Sequence, residues 1–292
     1  MSGLAITPAS ERSGARIPTD RWRVAGFGIP EVLAGLVVLL LLGFAVAPQL
    51  FAPLSPTAVD PRIAFSSPSI QHWFGTDESG RDIWSRVVHG AATSLLIGTA
   101  ATAIGLALGA ILATAAAVGG RVVDFAVGRV LEVLFAFPGL LLALLVIVIA
   151  GPGPVTATIA VGLSTAPGYA RLIRGQLIQV RSADYVESAR VLGHGPARIL
   201  VRHILPNAVA PLFVLATLGI GQAVVWASAL SYLGLGAQPP APEWGAMLAA
   251  ARTYLATAWW LTAFPGLMIV ATALSTTILG RGLQRRLREG TR

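Results

Sequence analysis

The residues able to do chemistry are few, and they fall into three groups. The first is acidic: Asp77, Glu78 and Asp82 lie in His72-Trp-Phe-Gly75-Thr76-Asp77-Glu78-Ser-Gly80-Arg81-Asp82. Paired carboxylates can run acid–base chemistry, but they need a nucleophile or base beside them, and none accompanies these. A local reading accounts for the same residues. Thr76 or Asp77 caps a helix from Gly80 to His89, Asp82 pairs with Arg86 at i, i+4, and Ile83, Trp84, Val87 and Val88 share a face. Such a helix lies in a membrane interface with Trp84 at headgroup depth.

The second group is Glu132, three residues after Arg129 at the edge of an uncharged stretch. An acid inside a membrane suits a proton relay. Its place at the edge, at i, i+3 from Arg129, favours a structural ion pair. The third group is the charged run Asp184-Tyr-Val-Glu187-Ser188-Ala189-Arg-Val-Leu-Gly193, continuing to His203-Ile-Leu205-Pro206-Asn207. Asp184 can cap a short helix with Glu187 in its first turn, and Val186, Ala189, Val191 and Leu192 give it apolar surface. Gly193 stops that helix, Pro196 can open a second, and Pro206 leads into the next apolar stretch.

Absences bound the chemistry further. The chain has no cysteine, which excludes disulfides and zinc–thiolate sites. His72, His89, His194 and His203 lack close metal-ligand spacing, so no metal site is expected. All 21 basic residues are Arg. A phosphate-binding loop needs its Lys on the nucleotide, so any ATP is spent on another subunit. No cofactor is expected on this chain.

The elements that carry these groups belong in a bilayer. Hydrophobic residues make up 55% of the chain and charged residues 12%, against roughly 25% charged in a soluble domain. Val32 to Ala52 is uncharged and, as a helix, about 31 Å long, one hydrocarbon thickness. Ala45-Val46-Ala47 resembles a signal cleavage site, but the apolar run continues beyond it. Ala91 to Gly120 supplies a second span, with Gly98, Gly105 and Gly109 on or near one face for close helix approach. Val133 to Ala170 is broken by Gly151-Pro152-Gly153-Pro154 into spans three and four, and Pro138 kinks the third near its start. Asn207 to Gly236 and Thr253 to Gly280 are spans five and six.

Residues 171–206 hold Arg171, Arg174, Arg181, Arg190, Arg198 and Arg202, and burying six Arg in lipid costs about 15–21 kcal/mol on an insertion scale. That segment is expected as a solvated loop, and Arg121 and Arg129 are counted in a cytoplasmic segment. With the amino terminus inside, the external loops hold only Arg62, Arg81, Arg86 and Arg252, and every other Arg is cytoplasmic. Both termini are therefore expected in the cytoplasm. The net charge of +8 belongs to this asymmetry and not to nucleic acid.

The expected fold is all-α: a polytopic membrane protein of about six transmembrane helices. The units are a cytoplasmic tail at 1–30, the first span and external loop at 31–90, a transmembrane domain at 91–283, and a cytoplasmic tail at 284–292.

Glu187-Ser188-Ala189, Gly193 and Leu205-Pro206 resemble the EAA loop of ABC importer permeases, whose pattern is Glu-Ala-Ala, three residues, Gly, nine residues, then Ile-x-Leu-Pro. Ser188 and His203 are mild departures. His72 to Asp82 with Ser85-Arg86 resembles the C-type subunit of the dipeptide/oligopeptide branch. So do Leu230-Ser-Tyr-Leu-Gly-Leu-Gly236 with Gln238-Pro-Pro240 and Trp244-Gly245, and Phe264-Pro-Gly266. The resemblance runs from roughly residue 30 to 285. Ala227, beside Trp226, stands where that branch carries an acid, and Arg281 replaces an expected Asp.

The resemblance implies a plasma-membrane translocation subunit paired with a second, related permease. Two cytoplasmic subunits would bind ATP and Mg, and an external solute-binding protein would deliver the cargo. It implies docking of the ATPase on Asp184, Glu187, Ser188, Ala189, Gly193, His203, Leu205 and Pro206. Di- or oligopeptides are the implied cargo, with nickel chelates or glutathione as alternatives. A proton-coupled carrier using Glu132 and a membrane enzyme using the external acids are the rivals. The elbow at 184–206 separates them, since a self-sufficient carrier has no use for a docking loop.

Overall fold

Backbone amides in lipid find no water and must be satisfied within their own segment, so long uncharged stretches become helices. In the computed structural model of the chain, residues 23–24, 27–199, 201–202 and 205–289 are described. The expected tail upstream of residue 23 and the expected role of His203 lie outside them. Two two-residue strands, Arg23–Val24 and Phe27–Gly28, pair antiparallel ahead of the first helix. Eleven α-helices follow among the described residues.

The first is α1 (Ile29–Val46), and the short α2 (Pro48–Phe51) continues it. A mostly irregular segment leads to α3 (Ile83–Val118), 36 residues and so about 54 Å long. The separate interfacial helix over 80–89 does not exist. Asp82 caps α3 through a hydrogen bond from the Ser85 amide at 2.8 Å, and the helix runs on unbroken because no proline or turn signal separates His89 from Ala91. The segment around Arg121 and Arg129 is α4 (Gly120–Ala136), set off from α3 by Gly120 at φ +75°. α4 meets α5 (Gly139–Ala150) at a 92° bend. Pro138 lies at that break, where it removes an amide donor and holds Phe137 extended.

The Gly-Pro-Gly-Pro turn separates α5 from α6 (Pro154–Arg181) as expected. α6 does not stop at Ala170. Ile173 and Leu177 are buried one turn apart on its inner face, so the basic extension packs as an amphipathic helix. The elbow helices are α7 (Asp184–Val191) and α8 (Pro196–Ile199), followed by α9 (Leu205–Tyr232). Then come α10 (Trp244–Ala251) and α11 (Trp260–Glu289).

Four of these helices are long and apolar enough to cross a membrane, and five if the bent α4–α5 pair counts as one span. A sixth passage requires α6, which is 28 residues long but carries Thr, Ser and Tyr side chains and three Arg.

α3 packs most extensively on α6 and also on α9, which in turn packs on α11. Small residues let α3 approach: a Cβ on Gly109 would lie 2.8 Å from the Ala170 amide nitrogen, and one on Gly98 would lie 2.3 Å from Val224 Cγ2.

Hydrogen bonds define two ends of the bundle. At one end Trp260 Nε1 donates to the Thr76 carbonyl (3.1 Å), Trp244 Nε1 to that of Val87 (2.9 Å), and the Gly153 amide to that of Leu235 (3.0 Å). At the other, Arg285 meets Glu31 at 2.7 Å, Arg174 meets Asp124 at 2.7 Å, and Arg181 donates to the Ala117 carbonyl at 3.2 Å.

Candidate functional site

The elbow begins where α6 ends. α7 starts at Asp184, but its cap position is Ala183 and no side chain caps it, so Asp184 is the first helical residue rather than the cap. The Glu187 amide reaches the Ala183 carbonyl at 3.3 Å, placing its carboxylate in the first turn, where the helix dipole favours an acid. Ser188 Oγ donates to the Asp184 carbonyl at 3.0 Å.

α7 is closed by a Schellman motif: the Gly193 amide bonds the Arg190 carbonyl (2.9 Å) and the His194 amide that of Ala189 (3.1 Å). Gly193 has φ +78°, a conformation open to glycine at little cost. A Cβ there would meet no atom within 4 Å, so the requirement is conformational and not steric.

One face of α7 is fastened. Val186 and Ala189 are buried with Ile173, Leu177 and Ile199. The other face is bare: Tyr185, Val191 and Leu192 are exposed beside Asp184, Glu187 and Ser188, with Val191 83% and Leu192 75% accessible. Of the apolar surface expected on this helix, Val186 and Ala189 are thus packed, and Val191 and Leu192 are left open. Leu205 and Pro206 open α9, as the spacing predicts.

At the same end, Arg129 and Glu132 form an ion pair at 2.6 Å, both well exposed. A partner missed in sequence is Asp124, which binds Arg174 across α4 and α6. Their 50-residue separation hides the pairing from any spacing argument.

The motif at 72–86 comes together as one buried knot. Thr76 Oγ1 donates to the Ile63 carbonyl and accepts the Ser66 amide at 2.9 Å. Asp77 Oδ1 accepts the amides of Ser79 (2.8 Å) and Arg81 (2.9 Å), and Oδ2 faces the Arg81 and Arg86 guanidinium groups at 3.5 and 3.8 Å. Arg86 therefore pairs with Asp77 and not with Asp82; Asp82 pairs with His72 Nδ1 at 2.9 Å. Arg86 also donates to the carbonyls of Pro56 (3.0 Å) and Pro240 (3.3 Å). Gly75 and Gly80 both have positive φ, and a Cβ on Gly80 would overlap the Asp60 carbonyl oxygen. Asp77 and Asp82 are thus consumed in holding a cover over the bundle. Outside the knot, hydrogen bonds from Arg62 hold the exposed Asp60 carboxyl below the usual carboxylate range.

A second feature was not legible in sequence. A cavity of about 290 Å³ opens beside the α4–α5 break, lined by Phe135 and Phe137, by Thr165 and Tyr169 of α6, and by Gln222 and Trp226 of α9. Its walls come from segments distant in sequence. Among the described residues no group of His, Asp or Glu could hold a metal.

The sequence is 38% identical over 267 residues to the dipeptide transport system permease protein DppC of Alkalihalophilus pseudofirmus, covering 90% of this chain and 88% of that one. It is 43% identical over 252 residues to the glutathione transport system permease protein GsiD of Escherichia coli, covering 86% and 83%. In solved structures, a chain of the MetNI methionine ABC transporter in an inward-facing conformation superposes with a TM-score of 0.56 at 20% identity, covering 71% of this chain and 97% of that one. A chain of an amino acid ABC transporter gives 0.56 at 16% identity, covering 69% and 94%. These two establish the fold alone. Residues 105–289, from the middle of α3 through α11, match a single family, and the chain belongs to the inner membrane components of binding-protein-dependent transport systems.

Proposed function

We propose that this chain is a translocation subunit of an ATP-driven importer of di- or oligopeptides, driven by separate ATPase subunits that dock on the elbow at 184–206. The single observation that carries the coupling role is the two-faced α7. Val186 and Ala189 fix it to α6, while Tyr185, Val191 and Leu192 stay uncovered beside Glu187. An apolar and acidic surface of that kind suits a protein partner. The elbow leads through Leu205 and Pro206 into α9, which packs on α3 and α11, so a push on α7 reaches the bundle.

In this reading α6 is a crossing and both termini are cytoplasmic. Residues 1–30 and 284–292 are tails, 31–90 hold the first span and external cover, and 91–283 hold the permease core, with α3 running through the boundary at 90. The assembly contains a second related permease, two subunits that bind ATP and Mg, and an external solute-binding protein. Glu132, exposed and paired with Arg129, serves as a surface ion pair.

The cargo rests on the relative named for dipeptides. A second reading, glutathione, rests on the relative named for it at 43% identity. Uptake in cells lacking this subunit separates the two: loss of labelled dipeptide uptake with glutathione uptake intact supports the first, and the reverse supports the second. Nickel content is expected to stay unchanged.

Coupling is tested at two positions. Gly193→Asp places a side chain in the left-handed region, at about 1–2 kcal/mol of local strain, and adds a charge to the turn. Glu187→Lys reverses the charge at the start of α7. Both variants are expected in the membrane at normal levels, with transport and the stimulation of ATPase by loaded binding protein lost in reconstituted vesicles. Full stimulation in both would leave the elbow a mere connector.

A further inference from the structure

The cavity beside the α4–α5 break has no charged wall: no Asp, Glu, Arg or His is among its lining residues. At about 290 Å³ it has room for roughly ten waters and lies near the lower limit for small-molecule pockets.

Gln222 is its most informative residue. It lies near the middle of the apolar stretch Pro211–Tyr232, where it is the only amide or charged side chain. The hydroxyl of Thr217 in the same stretch is satisfied by the Phe213 carbonyl at 2.8 Å. The Gln222 carboxamide is exposed and makes no hydrogen bond to any described residue. An unpaired amide facing hydrocarbon costs about 4–8 kcal/mol on an alkane scale, so this position needs water or a polar solute.

Trp226, one turn on, lines the same cavity. Its indole lies against Gly139 at the start of α5, where a Cβ would stand 2.4 Å from Cη2. The ring is thus seated against the bare backbone at the break, next to Phe135 and Phe137.

We infer that this cavity is a water-filled contact site on the translocation path for uncharged amide and ring groups of the cargo, with Gln222 meeting amides and Trp226 stacking rings. The inference rests on the reading of the chain as a translocation subunit. An amide offers one acceptor and two donors, which matches a peptide unit. An aromatic wall stacks on apolar or planar groups without choosing among them. The lining holds no charged side chain, and the cation beside it, Arg171 over the Phe135 ring at 3.8 Å, offers no carboxylate to a cationic cargo, which must cross hydrated.

The cysteine-free sequence gives a direct test in the intact complex. Gln222→Cys is expected to react with a cationic methanethiosulfonate reagent, which needs a hydrated thiolate, and labelling is expected to cut uptake at least tenfold. Leu39→Cys, on the exposed face of α1, is expected to stay unlabelled. Labelling is read from the mass of this chain, so cysteines of other subunits do not interfere. In a second arm, Gln222→Glu at saturating binding protein is expected to raise uptake of a Lys-containing dipeptide over a neutral one about tenfold. Gln222→Asn is expected to keep the original ratio.

An unreactive thiol in the Gln222→Cys variant, or a labelled one with uptake unchanged, overturns the inference. So does an unmoved uptake ratio in a complex that transports dipeptides, and in that case the proposed function stands. A wild-type complex that moves no dipeptide refutes the cargo instead, while the reactivity of the Gln222→Cys thiol still decides whether water reaches this position.

Discussion

Asp77 illustrates what a single carboxylate does when it leaves water. It is 4% exposed, caps two backbone amides, and faces Arg81 and Arg86, the second of which also donates to the Pro56 and Pro240 carbonyls. Asp77→Asn keeps an oxygen for those amides but leaves Arg86 without its counter-charge. Breaking a buried pair from one side costs about 3–5 kcal/mol, and the variant is expected to melt well below wild type in detergent. A melting temperature within a degree of wild type would mean that the carbonyls of Pro56 and Pro240 suffice. The motif was visible in sequence as a cluster of Gly, Thr and acids, but its pairing was not, because Arg86 chose the nearer buried acid over its i, i+4 neighbour. Glu243 shows the same limit. It is fully buried and caps α10 through the Gly245 (2.8 Å) and Ala246 (2.9 Å) amides, yet between Pro242 and Trp244 it reads as an ordinary loop acid.

Among the elements, those set by local chemistry were legible and those set by tertiary contact were not. Gly193 and Pro196 mark the elbow because a left-handed turn and a helix start make residue-level demands. The basic extension of α6 was hidden because its Arg residues find their partners at a distance: Asp124, the Ala117 carbonyl, and the Phe135 ring 3.8 Å from Arg171. α4 was hidden for a similar reason, since its tie to α6 runs from Asp124 to Arg174, fifty residues on. The α3–α6 contact was legible in its small residues, and it gives a prediction at this scale. Gly109→Leu drives a side chain into the Ala166 carbonyl and the Ala170 amide, which are backbone atoms and cannot yield. Overpacking of this kind costs about 1–3 kcal/mol or more. The expected outcome is a lower melting temperature in detergent, whereas Gly128→Leu on the open face of α4, where a Cβ meets nothing within 4 Å, is expected to be tolerated. Equal stability of the two variants would show that the helices part without cost.

For the whole molecule, the open question is how many times the chain crosses. Glu31, at the start of α1, bonds Arg285 near the end of α11 at 2.7 Å, so these two helix ends share one end of the bundle. The number of passages between them is then even, and six results only if α6 crosses with the other five. From the Arg count that end is expected in the cytoplasm, because lipid and the membrane potential hold basic loops inside. A reporter fused after Arg292 is therefore expected to be cytoplasmic, and one inserted after Ser67 external. Ser67 is exposed and lies beyond the Ser66–Thr76 hydrogen bond, so the insertion spares the knot. Between the two reporters lie α3, the bent α4–α5 pair, α6, α9 and α11. Five crossings put the reporters on opposite sides. If the Arg-bearing α6 remained at the surface, four would be left, both reporters would report the same side, and the Glu31–Arg285 contact could not hold in the membrane. The outcome thus turns on the one helix whose composition falls short of an ordinary span. Opposite sides are expected, because the Arg residues of α6 gather toward its carboxyl end, where Asp124 and the Ala117 carbonyl receive them, and the uncharged part before Arg171 is left to cross.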